Sequence, residues 1–162
     1  MDGSLANFGS WLQNRPFALS IAGSDWVYPF VQAIHFTGLS LWVGTSVAVD
    51  LRLLGVGRKS TQPLQLSVPL FIWNWIGFGL AFLGGFLLFS VSAATYLTNI
   101  AFLTKLGILV PLGLLLHIVI QRKAPMWEKS PEPSSVARLA GFTELLLWLF
   151  VVTAAVLIPY VG

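Results

Sequence analysis

Only two histidines occur in this chain, His35 and His117, and each lies inside an apolar stretch long enough to cross a membrane. Imidazole is the side chain best suited to bind a haem iron or another metal, or to pass a proton near neutral pH. In hydrocarbon it is costly without a partner, so an intramembrane His marks a functional site by default. Glu144 is the one acid well inside the last apolar stretch, and Asp50 and Asn74 are further polar residues in apolar surroundings.

Other chemistries lack their residues. There is no cysteine, which removes disulfides, iron–sulfur clusters and thiolate nucleophiles. Two histidines cannot supply the three ligands of a catalytic zinc. No phosphate-binding glycine loop and no convincing Ser–His–acid set is present. An independent enzyme is therefore not expected, and a redox subunit is the most that the residues allow. No aromatic-and-basic surface for nucleic acid is evident.

The elements that must position these residues are membrane spans. Of 162 residues, 56% are hydrophobic and 9% charged, against about 25% charged in a soluble domain. The charges cluster between long uncharged segments. The fold expected is all-α, a single bundle (1–162) of four transmembrane helices over about 27–54, 68–96, 101–121 and 136–160. Pro111 should kink the third span. GVGRKSTQP (55–63) and RKAPMWEKSPEPSS (122–135) read as loops. Before the first span, residues 4–20 carry Leu5, Phe8, Trp11 and Leu12 at helical spacing. They fit an amphipathic surface helix that Pro16 ends or bends, or else a partly ordered tail. The segment lacks the basic start and continuous apolar run of a signal peptide.

Of the nine basic residues, Arg52, Arg58, Lys59, Arg122, Lys123, Lys129 and Arg138 fall in or beside the two loops. Arg15 and Lys105 fall on the other side. The positive-inside rule then puts the basic loops in the cytoplasm and both termini in the periplasm, in a bacterial inner membrane.

Depth follows from a rise of about 1.5 Å per residue. His35 lies roughly 6 Å from the midplane toward the outer side, and His117 roughly 9 Å toward the inner side. Two axial ligands of one haem need nearly one level, so these two are poorly placed to share an iron within one protomer. Glu144 falls level with His117. Asp50, Asn74, His117 and Glu144 thus form an inner polar cluster, suited to a proton or cation path, with Arg52 and Thr143 at its margin. His35 has Gln32, Thr37, Asn99 and Lys105 near its own depth. Plainer roles compete with each. His35 and His117 could simply be hydrogen-bonded between helices, the latter to Glu144. Asp50 and Arg52 could meet each other or lipid headgroups at the membrane edge. Trp11, Trp26, Trp73, Trp75 and Trp127 suit interfaces. Gly77, Gly79, Gly84 and Gly85 suit close helix packing.

The segment from Ser24 to Gly55 carries Trp26, Tyr28 and Pro29 as W-x-Y-P, His35 and Gly38 as H-x-x-G, and Asp50 to Gly55 as D-L-R-L-L-G. It resembles the opening signature of an uncharacterised family of bacterial four-helix integral membrane proteins. Asn99, Phe102, Lys105 and His117 resemble the family pattern further on, so the likeness covers nearly the whole chain. The family tends to place small or polar residues just before the second His, where this chain has Gly113 followed by three leucines. The family is loosely similar to copper-resistance membrane proteins and to b-type cytochrome subunits, which is analogy only.

Three functions stay open. The first is a b-type-cytochrome-like subunit in electron transfer, with quinone as a potential partner. There His35 is the first axial ligand of a haem b iron and His117 the second, or the pair holds a chlorophyll-type pigment. A two-fold dimer would bring like histidines to one level. The second is a structural or accessory subunit of a larger membrane complex, with no cofactor. The third is a small proton- or metal-ion-coupled transporter using Asp50, Asn74, His117 and Glu144.

Overall fold

The computed structural model describes residues 3–57 and 65–160. Among them there is no strand. The elements in order are α1 (Gly3–Gln13), α2 (Pro16–Ala22), α3 (Val27–Leu54), α4 (Ser67–Val91), α5 (Ala93–Tyr96), α6 (Ile100–Thr104), a π-helical turn (Lys105–Leu109), α7 (Val110–Trp127), α8 (Ser135–Leu157) and a closing 3-10 turn (Ile158–Tyr160). Four helices are long and apolar enough to cross a membrane: α3, α4, the continuous run Ile100–Trp127, and α8. Between 17% and 33% of each span's most apolar window is buried inside the bundle. The outward remainder is largely apolar, as a lipid-facing surface is. The molecule is built as a multi-pass membrane protein.

Around the bundle the spans follow the order α3, α4, α7, α8, with α3 and α4 in the most intimate contact. Glycine explains the intimacy. A Cβ on Gly38 would lie 2.3 Å from the backbone nitrogen of Ala81, and one on Gly77 would lie 2.5 Å from that of Trp42. The two backbones touch where any side chain would stand between them, which is how helices associate in lipid. Gly141 of α8 packs against the Asp50 backbone, and Gly113 of α7 against the Trp148 ring.

The ends of the helices are held by turn geometry and by side-chain caps. Gly55 adopts φ +102° and lets the last turn of α3 close, with Val56 N donating to Leu51 O at 2.9 Å. Ser134 Oγ caps α8 by accepting from Ala137 N. Asn99 caps α6 through Phe102 N and donates to Ile158 O at 2.8 Å, tying the third span to the end of the fourth. Glu128, fully buried just past α7, reaches the first turn of α4. It accepts from Leu66 N (3.1 Å), Ser67 N (3.1 Å) and Ser67 Oγ (2.6 Å). A carboxylate there meets both the orphan amides and the positive end of the helix dipole. Glu128→Ala is expected to destabilise the solubilised protein by about 1–3 kcal/mol. A thermal-unfolding midpoint equal to that of the wild type would contradict this role.

Several boundaries differ from expectation, each for a local reason. The second span was expected to run to 96, but the helix breaks at Ser92 and restarts as the single turn α5. The third was expected to end at 121 and runs to Trp127, with Pro125 inside its last turn, where it removes only the one donor that Gln121 O would have received. A kink was expected at Pro111. The irregularity found is the π-turn immediately before it, where Val110 N donates to Lys105 O. Proline removes the donor that Gly107 O would have received, and a widened turn beside it accommodates the loss. Residues 4–20 resolve into two helices with Pro16 starting the second. Gly9 of α1 packs on Ala94, and Gln13 accepts from Ala94 N at 3.2 Å, so these helices sit at the α5 end of the bundle.

Candidate functional site: a buried polar centre between the four spans

Each span carries one polar residue inward at nearly one level. On α3 the buried face runs Trp42, Ser46, Val49 and Leu53 at three- and four-residue steps, with Asp50 beside Val49 and four residues after Ser46. On α4 it holds Asn74, on α7 His117, and on α8 the run Ala137, Gly141, Glu144, Trp148. Asp50 and Asn74 are 0% exposed, His117 and Glu144 1%. The four residues that sequence depth put together are brought together.

Hydrogen bonds fix the orientations of Asn74, His117 and Glu144. Asn74 Nδ2 has three acceptors, Trp42 O (3.1 Å), Thr45 Oγ1 (2.9 Å) and Ser46 Oγ (2.9 Å). Its amide oxygen therefore faces His117, and it accepts from Nε2 at 2.8 Å. On the other side of the ring, His117 Nδ1 donates to Glu144 Oε1 at 2.5 Å. The same oxygen accepts from Trp148 Nε1 at 3.0 Å. Both ring nitrogens thus face acceptors, a pattern that a doubly protonated imidazole satisfies. A carboxylate and an imidazolium in contact, each further hydrogen-bonded, meet the conditions for a buried pair.

Three tryptophans enclose the ring. Trp42, Trp75 and Trp148 stand edge-on to it, with centroids 6.2, 5.8 and 6.4 Å away. Trp42 also packs on Trp148 at 4.5 Å. Trp75, suited by position to the membrane interface, instead backs onto the histidine. No sequence signal separates such a tryptophan from an interfacial one at the same depth.

Asp50 is the discordant member. Its carboxyl adjoins that of Glu144, yet neither oxygen has a hydrogen-bond partner in ordinary geometry among the described residues. Arg52 is buried as well, but two residues along a helix do not face each other. Thr143 points outward, away from the centre. An edge contact with lipid headgroups, one of the roles open to Asp50 from sequence, does not describe a fully buried group.

His35 lies elsewhere. It is half-buried on α3, seven residues and thus about 10 Å from Trp42 toward the α5 end. Its Nδ1 donates to Ala81 O at 2.7 Å. Gly84 and Gly85 cradle the residue; a Cβ on Gly85 would stand 3.0 Å from ring carbon Cε1. Nε2 has no hydrogen-bond partner among the described residues. The two histidines are therefore not brought together in this chain. Among the described residues no three His, Cys, Asp or Glu side chains converge as a metal site. Arg58 and Lys59, which contribute to the charge asymmetry of the loops, lie outside the described residues. Comparison with protein-family models, with curated proteins and with solved structures finds no match.

Proposed function

We propose that this chain is a membrane protein that handles protons at the Asp50–His117–Glu144 centre, as a small proton- or cation-coupled transporter does. The observation that carries the reading is Asp50. Asn74, His117, Glu144 and Trp148 already complete each other, and a centre needed only to fasten helices would stop there. A further buried acid set against another carboxyl adds a desolvation penalty and, when both are ionised, repulsion. It has a purpose where a proton is taken up and given back. Two adjacent carboxyls hold a proton between them, and the imidazole passes it on. The positive-inside rule supports an orientation in which this end of the bundle faces the cytoplasm of a bacterial inner membrane, with both termini periplasmic.

Asp50→Asn tests the reading in vesicles loaded with a pH-sensitive dye. It is expected to abolish most of the proton flux carried by the wild type while unfolding at an equal or higher temperature, since an uncompensated acid is gone. Flux unchanged in both Asp50→Asn and Glu144→Gln would sink the reading. Wild-type vesicles no leakier than empty ones, with Asp50→Asn less stable, would return the centre to a purely structural role.

One observation favours a second reading, an electron-carrying subunit similar to b-type cytochromes with quinone as exchange partner. His35 donates Nδ1–H to a backbone carbonyl, which leaves the Nε2 lone pair for a metal, the usual arrangement of a ligating histidine. His117 has both nitrogens engaged, so a second axial ligand for haem b would come from His35 of another copy or from a larger complex. Protein from haem-replete cells is then expected to show a Soret band that His35→Ala abolishes and Phe36→Ala retains. A wild-type spectrum without that band ends this reading.

A further inference from the structure

A cavity of about 340 Å³ opens between α4 and α7, one turn beyond the buried centre toward the loop end. Phe71 and Trp75, one turn apart on α4, form one wall. Ile118, Gln121 and Arg122 of α7 form the other. Two features set it apart from the apolar grooves any bundle shows to lipid. Gln121 is only 8% exposed, and its amide oxygen is buried with no donor. Such an acceptor is left unpaired at a free-energy cost unless something supplies a hydrogen bond. Arg122, beside it, is exposed and makes no ion pair among the described residues.

The lining changes along α7 from hydrocarbon at Ile118 to a buried acceptor at Gln121 and a cation at Arg122, within about 6 Å of rise. A phospholipid offers a chain for the first and a phosphate for the last, and its headgroup, which follows the phosphate, turns back toward Gln121. The chain lies on Phe71 and Ile118, and the phosphate pairs with the Arg122 guanidinium, which matches phosphate geometry. The donor for Gln121 selects the headgroup. Phosphate oxygens only accept. An ethanolamine ammonium would donate, but it would lie beside Arg122 as a like charge. A glycerol headgroup supplies neutral hydroxyl donors with the same phosphate.

We propose that the α4–α7 cavity is a binding site for an anionic phospholipid with a hydroxylated headgroup, of the phosphatidylglycerol type. The site does not depend on the proton reading, but it touches the same machinery. Trp75 forms its wall on one side and packs on the His117 ring on the other. An occupied cavity fixes that tryptophan, and through it one side of the imidazole cage.

Native mass spectrometry of the detergent-purified full chain, offered equal dioleoyl phosphatidylglycerol and dioleoyl phosphatidylethanolamine, reads the site directly. The wild type is expected to retain the glycerol lipid several-fold more. Arg122→Gln and Gln121→Leu should each remove most of that preference. Lys123→Gln, which removes a charge of the same sign next to the cavity but not in its wall, should keep it. Arg122→Gln lies at an exposed position, so its result stands whether or not Gln121→Leu folds. Equal retention of the two lipids by the wild type overturns the proposal. So does a loss in Lys123→Gln as large as that in Arg122→Gln, since that would be diffuse electrostatic attraction.

Discussion

Gly77→Ala is expected to destabilise the solubilised bundle by about 3 kcal/mol, whereas Gly79→Ala, two residues away, leaves stability unchanged or slightly raised. The contrast rests on what each new methyl group meets. At Gly77 it would lie 2.5 Å from the Trp42 backbone nitrogen and 3.0 Å from Gly38 O, atoms that cannot rotate aside. Only separation of α3 from α4 relieves the clash, and that separation also opens the hydrogen bonds from Asn74 to Trp42, Thr45 and Ser46. At Gly79 nothing lies within 4 Å, and alanine is the better helix former. Thermal unfolding of the two variants side by side decides the matter. Equal midpoints would mean that the close α3–α4 approach is not what holds the hairpin. The same pair should separate in proton flux, because moving α4 moves the oxygen that His117 Nε2 donates to.

The second large effect concerns the ion pair itself. Glu144→Leu alone is expected to destabilise by about 3–5 kcal/mol. It strands His117 Nδ1 and Trp148 Nε1 in a site buried between the spans. His117→Leu alone should be comparably harmful, leaving Glu144 and the Asn74 amide oxygen without the donor between them. The double variant should cost clearly less than the sum, with a coupling of about 1–3 kcal/mol. Additive losses would show that the two groups do not depend on each other, against a contact in which both partners are 1% exposed. Asp50 makes the opposite contribution. It has no hydrogen bond in ordinary geometry to lose and another carboxyl for a neighbour, so its neutral replacement relieves the fold. Buried groups that lower stability are retained where they act.

The spans were legible because lipid imposes one rule on every exposed position, and a run of apolar residues records it whatever the packing inside. The level shared by Asn74, His117 and Glu144 was legible too, since helical rise converts position into depth. What depth cannot supply is azimuth. Trp75 and Trp73 are two residues apart at one membrane level, yet one packs on His117 and the other is exposed. Helix rotation decides between them, and it is set by the glycine contacts of α3 with α4, which are interactions between spans. Glu128 was invisible for a similar reason. It sits in a polar, proline-rich stretch that reads as a loop, and its partner lies 61 residues earlier. Asp50 could be read as an edge charge because it stands near the end of its span, two positions before Arg52. The structure turns it inward on the same face as Ser46 and Trp42.

The Glu128 contact also says something about the order of assembly. As the chain emerges, α3 and α4 can pair through their glycines as soon as both are in the membrane. The first turn of α4 nevertheless has no side-chain cap of its own. Its amides wait for a carboxylate that is synthesised only after the whole third span. The α3–α4 hairpin is therefore a unit left open at one end, and arrival of the third span at its full length, through Pro125 to Trp127, closes it. A nascent chain truncated before residue 128 should hold two inserted helices whose loop end exchanges its amide hydrogens quickly, and the same amides should become protected once the third span is complete.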